Sequence, residues 1–125
     1  MNKLMLVIGA CIIVAACAGA PSAEQSVYAL RSGYDAGFLA PAAAYNELPR
    51  CPQTTPVCSE QKVVDRLREA DDLAHKLLDD AEAIVRGQAQ GDATAATKAA
   101  HDAVDAANAV LATYNIKALV PKEGA

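Results

Sequence analysis

The stretch SEQKVVDRLREADDLAHKLLDDAEAIVRG, residues 59–87, places Val63, Leu67, Ala70, Ala74, Leu77, Ala81 and Ile84 at alternating steps of four and three. A repeat averaging about 3.5 residues keeps one apolar seam of a helix turned toward a neighbouring helix, whereas a strand would need alternation with period two. Ser59 stands where a helix N-cap belongs, and its hydroxyl is suited to an orphan backbone N–H of the first turn. Asp72 with Lys76, and Glu82 with Arg86, are acid-before-base pairs four residues apart on the outer surface. Each contributes about a few tenths of a kcal/mol.

Toward the C-terminus the pattern breaks at Gly87-Gln-Ala-Gln-Gly91, and Asp92 is placed to cap another helix. Its seam runs through Ala93, Thr97, Ala100, Val104, Ala107, Leu111 and Tyr114, again at steps of four and three. Small side chains on both seams permit close approach of the two backbones. Toward the N-terminus, Pro49 to Cys58 holds three prolines and no apolar periodicity, so it reads as a loop. Before it, Val27, Leu30, Tyr34, Phe38, Pro41, Tyr45 and Leu48 recur at steps of three or four on a first helix. Ser22 followed by Gln25 is a capping-box pattern that starts this helix near Ala23. Pro41 removes the bond to the carbonyl of Gly37 and crowds it, which predicts a kink there and not two separate helices. Aromatic rings on this helix fill the shallow groove of the alanine-rich one. The expected architecture is all-α: an antiparallel three-helix bundle with helices over about 23–48, 59–87 and 92–116, then a flexible tail over 117–125.

The chain opens with Met1-Asn2-Lys3, an apolar run from Leu4 to Ala16, and Cys17. A charged start, an apolar stretch and small residues before a cut are the parts of an export signal. As a helix the run spans roughly 20 to 25 Å even when stretched to Ala20, short of the roughly 30 Å hydrocarbon core of a bilayer. Val14-Ala15-Ala16-Cys17 resembles the lipobox of bacterial lipoproteins, in which the cysteine thiol is acylated and the leader is cut off just before it. The resemblance implies a signal peptide over 1–16, lipidation at Cys17, a tether over 17–22, and a membrane held through the lipid. Ala18 after the lipidated residue implies the outer membrane. Ile8-Gly9-Ala10-Cys11 is a partial second match that would leave too short an apolar core, and a cut after Ala18-Gly19-Ala20 would put Pro21 at the cleavage site.

Four cysteines are present. With Cys11 lost in the leader and Cys17 lipidated, Cys51 and Cys58 remain as an even pair in an oxidising compartment, where they are expected to form a disulfide. Closing so short a loop stabilises a fold by roughly 2 to 3 kcal/mol in the chain-entropy model. A zinc site from Cys51, Cys58, His75 and His101 would draw on three segments without the tight spacings of such sites.

Of 125 residues, removal of the leader leaves 109, enough for one domain, with 10 basic against 15 acidic side chains. Nucleic acid is therefore not an expected partner, since phosphate binding is driven by clustered Lys and Arg. His75 lies four residues from Asp71 and from Asp79, and His101 four before Asp105, so each has a carboxylate suited to orient a general base. No serine or free cysteine is placed beside them as nucleophile, and both fall off the apolar seams, where polar groups face water. Asp71-Asp72 and Asp79-Asp80 form an acidic strip without the loop of a calcium site. Tyr34, Phe38 and Tyr45 either pack as core or line a pocket for an apolar ligand.

The tyrosines before Leu48-Pro49-Arg50-Cys51, then Pro56-Val57-Cys58-Ser59 and the Asp/Ala-rich helix after it, resemble short helical proteins of proteobacteria and their prophages. This covers Tyr28 to Ile84 and carries no catalytic residues onto the chain. The foremost expectation is a non-enzymatic envelope lipoprotein without cofactor or metal, acting as a structural or interaction module for another envelope protein. A lipid-anchored carrier of a small apolar ligand is the alternative.

Overall fold

Ser22 Oγ accepts the Gln25 backbone N–H at 3.2 Å, and Gln25 Oε1 accepts the Ser22 N–H at 3.0 Å. The capping box is thus complete, and helix α1 (Ala23–Tyr34) begins where its signal stands. The computed structural model describes residues 21–52 and 57–120. After α1 come α2 (Ala40–Glu47), α3 (Gln61–Val85), α4 (Ala93–Thr113) and α5 (Ile116–Leu119). The fold is all-α; the described residues contain no strand, only an isolated backbone bridge between Arg50 and Ser59. The leader and Cys17 lie outside the described residues.

Between α1 and α2, Asp35–Leu39 forms a π-helical turn, with the Ala40 N–H donating to the Asp35 carbonyl. Tyr34, Asp35, Leu39 and Ala40 all keep right-handed helical dihedrals, so the path runs unbroken from Ala23 to Glu47. Pro41 has no N–H for the Gly37 carbonyl, and a widened turn just ahead of it takes in an extra residue where regular spacing would be crowded. The proline is accommodated within one continuous helical run. Val27, Tyr34, Phe38 and Tyr45 of this run are buried.

Helix α3 does not start as its sequence suggests. Its N-cap is Glu60, without a side-chain cap, while Ser59 is fully buried and its hydroxyl donates to the Leu48 carbonyl at 3.0 Å. The Ser59 N–H donates to Pro49 O at 2.8 Å, and its carbonyl accepts Cys51 N–H at 3.1 Å. Closure of the Cys51–Cys58 loop draws Ser59 inward and uses its polar groups there. Along α3 the buried residues are Val63, Val64, Leu67, Ala74, Leu78 and Ala81, so Leu78 is buried where the sequence predicts Leu77, which is only partly so. A helix advances 3.6 residues per turn and drifts from a 3.5 repeat, and α3 packs on both α1 and α4, which widens its apolar stripe.

Gly87, at φ 71°, takes the left-handed conformation that ends α3. Asp92 then caps α4, its Oδ1 accepting the Ala95 N–H at 2.6 Å. The buried face of α4 carries Ala100, Ala103, Val104, Ala107 and Leu111. The helix ends at Thr113, before the predicted 116, because Asn115 turns the chain through a left-handed conformation at φ 52°. That turn drops Ile116 into the core with no exposed surface, and α5 packs against α2 and α4. Residues 117–119, expected in the tail, therefore belong to the folded part.

Cross-contacts show the direction of the first run. Arg31 reaches Glu82, Tyr34 reaches Asp71, and Tyr45 reaches Glu60, so residue numbers rise along one helix as they fall along α3. One end of the domain thus holds Ser22 and the 86–92 turn; the other holds the disulfide loop.

Ala74 and Ala107 have no exposed surface, so Ala74→Leu and Ala107→Leu are expected to overpack the interior, each costing about 1 to 3 kcal/mol. His75→Gln and His101→Gln, at exposed positions, are expected to cost under about 0.5 kcal/mol. Denaturant midpoints of the four variants check the contrast, and the reverse ordering would overturn the assignment of the buried faces.

Candidate functional site

Polar side chains cluster along the contact between α1 and α3. Arg31 follows Val27 by four residues, which puts it at the margin of the buried face of α1. Its Nε donates to Glu82 Oε1 at 2.8 Å and an Nη2–H donates to Asp79. The arginine side chain is only 19 % exposed. Burial alone would lower its pKa, but the hydrogen bonds it donates to Glu82 and Asp79, with their charges, outweigh this and raise it. Three residues on, the Tyr34 hydroxyl donates to the Asp71 carboxylate. Burial, then that hydrogen bond, push the phenol well above its ordinary value.

The charge pairs expected from α3 alone are not the ones formed. Glu82 is taken by Arg31 and not by Arg86, and Lys76 pairs with Asp80 at 2.7 Å instead of with Asp72. Arg86 makes no ion pair with the described residues in consequence. A carboxylate on an exposed helix face chooses among several cations of similar reach, and a half-buried guanidinium from a second helix offers a shorter, less screened bond.

Both histidines lie on the surface. His75 Nε2 is 3.4 Å from Asp79 Oδ2, and His101 Nδ1 is 3.1 Å from Asp105 Oδ2, each side chain being more than half exposed. A shallow groove around His75 is bordered by Asp71, Asp72, Lys76, Asp79 and Asp80. The sequence places a carboxylate beside each histidine, and the fold brings no nucleophile to the His75 groove. Among the described residues no group of three or more His, Cys, Asp or Glu is arranged to hold a metal ion.

At the other end Cys51 and Cys58 are joined as a disulfide, with Cα atoms 5.2 Å apart. Their sulfurs are thereby unavailable as thiolate ligands to zinc. The loop is tied to α2 by the Tyr45 hydroxyl, which accepts the Glu60 N–H at 3.0 Å, and by Arg50, which donates to Ser59 Oγ and, at 2.9 Å, to Asn46 Oδ1. The hydroxyl of Tyr45 therefore meets an orphan N–H near the start of α3.

The aromatic row is core. Tyr34 and Phe38 have no exposed surface, and their rings stack with centroids 5.4 Å apart and planes 15° from parallel. Tyr45 is 3 % exposed. Of the three, Phe38 borders a shallow surface groove, shared with Leu39, Ala42, Val64 and Arg68. No described helix is long and apolar enough to cross a membrane. Cys17, the expected lipidation site, lies outside the described residues.

Comparison of the chain with protein-family models, curated proteins and solved structures gives no match.

Two outcomes follow from these contacts. The native state holds Tyr34 neutral while an unfolded chain ionises it near the ordinary value of 10.0. The stabilisation is thus fully present below pH 10.0 and is lost as pH climbs from there toward the raised native value. Unfolding midpoints measured across the alkaline range should fall more steeply for the wild type than for Tyr34→Phe, and identical slopes would remove this role for the phenol. Reduction of the Cys51–Cys58 bond should lower the melting temperature while far-ultraviolet dichroism at room temperature stays helical, since the helices are packed by α3 and α4 and not by the loop.

Proposed function

We propose that the chain is a bacterial envelope lipoprotein, cut before Cys17 and held by a lipid on that cysteine, whose helical part serves as a structural or protein-interaction module. The observation that carries this reading is the order Lys3, apolar run, Val14-Ala15-Ala16-Cys17, in which small residues lead directly to a cysteine. The disulfide supports it. Cys51 and Cys58 are the two cysteines left once Cys11 and Cys17 are assigned to the leader and the lipid, and a bonded pair suits an oxidising compartment.

Within the mature part we read the run 23–47 with α3 and α4 as an antiparallel three-helix bundle, closed by α5. Its proposed partner is another envelope protein, met through the helical surface. The stacking of Tyr34 on Phe38 favours this over a carrier, because it occupies ring surface that a small apolar ligand would need. The solvated histidines, with carboxylates as neighbours, favour a non-enzymatic role. Ala18 after the acylated cysteine favours the outer membrane as destination.

Growth with labelled palmitate should give a labelled protein; Cys17→Ser should abolish the label and Cys11→Ser should leave it. Recovery of the label in outer-membrane fractions is expected in the same experiment. Unchanged labelling of Cys17→Ser would overturn the anchor.

A further inference from the structure

The end of the domain that holds Ser22 carries an unpartnered patch. There a groove between the start of α1 and the end of α3 is lined by the apolar Val27 and Val85, by Tyr28 and Arg86, and by the carboxylates Glu24 and Glu82, the latter held by Arg31. Tyr28 is 73 % exposed, the most open of the large apolar side chains among the described residues. Arg86 is exposed beside it, its expected partner Glu82 having been drawn to Arg31. An aromatic ring with a polar tip and a free guanidinium fork over an apolar floor is the chemistry that meets a phospholipid at headgroup depth. The ring enters the boundary between headgroup and acyl chain, and the fork takes a phosphodiester oxygen.

Chain length points to the same occupant. Resting on the proposed lipidation of Cys17, four residues separate the acylated cysteine from the N-cap Ser22, a reach of roughly 17 Å at most even at full extension. Tyr28 lies six residues past Ser22, about 9 Å along the helix axis. A tether that short keeps this end of the domain against the bilayer, and the disulfide end away from it. We infer that the Tyr28/Arg86 groove seats on the bilayer surface to which Cys17 is anchored, so that the domain is held in one orientation and does not swing freely on its tether.

The chain contains no tryptophan, so single replacements report on their own surroundings. The lipidated full-length protein carrying Tyr28→Trp is reconstituted in vesicles of phosphatidylethanolamine and phosphatidylglycerol, some with brominated acyl chains, and compared with Leu119→Trp at the opposite end. Helical dichroism checks that each variant is folded. Tyr28→Trp should be quenched several-fold by brominated lipid and Leu119→Trp hardly at all, and adding Arg86→Gln should weaken the quenching at position 28. Equal or negligible quenching at the two positions in acylated protein would overturn the seat while leaving the anchor intact. A blue-shifted but unquenched Tyr28→Trp would also overturn it, in favour of a protein on this patch. Protein whose mass lacks the acyl chains and which does not float with vesicles would remove the anchor, and the seat with it.

Discussion

Close approach of α3 and α4 is the constraint from which the remaining packing follows. Ala74 and Ala81 on one helix, and Ala100 and Ala107 on the other, have no exposed surface. With methyl groups as the only side-chain bulk at these positions, the two backbones lie near one another, and aromatic bulk for the core comes from neither helix. The first helical run supplies it. Tyr34, Phe38 and Tyr45 fill the space beside the alanine contact, together with Leu78 of α3, Leu111 of α4 and Ile116 of α5, so the rings come from one run and the closeness from the other two helices.

That division explains why the polar contacts sit where they do. A run that contributes bulky rings must also be held in register along α3, and apolar packing is tolerant of sliding. Arg31 on Glu82 and Asp79, Tyr34 on Asp71, and Tyr45 on the Glu60 N–H are spaced along the interface and are directional. Each hydroxyl or guanidinium finds its partner at one register only. The π-turn at Asp35–Leu39 lies between the second and third of these contacts, where it resets the face of the helix across Pro41 and lets Tyr45 still point toward α3.

Helix identity was legible in the sequence because periodicity is local. The Ser22–Gln25 box and the Asp92 cap were read from neighbouring residues and recur in the fold, the seam of α3 recurs with burial shifted from Leu77 to Leu78, and the Cys51–Cys58 bond follows the reading from the cysteine count. What escaped that reading depends on two elements meeting. Glu82 and Arg86 are correctly spaced for a pair, yet Arg31 on another helix takes Glu82, and only its place four residues after Val27 hinted that it faces inward. Ser59 has the composition of a cap, yet loop closure turns it toward Leu48. Ile116 follows the last turn of α4, but the left-handed Asn115 reverses the chain and makes it core. The lipobox-like leader lies outside the described residues.

The disulfide loop and Ser22 lie at opposite ends of the domain. Helix α3 joins those ends in 25 residues, a rise of roughly 37 Å without an interior glycine or proline to soften it. A rod of that length holds the cross-linked loop, with Arg50, at a fixed distance from the Ser22 end. Adding or removing whole turns in all three helical stretches together would change that distance while leaving both ends chemically the same.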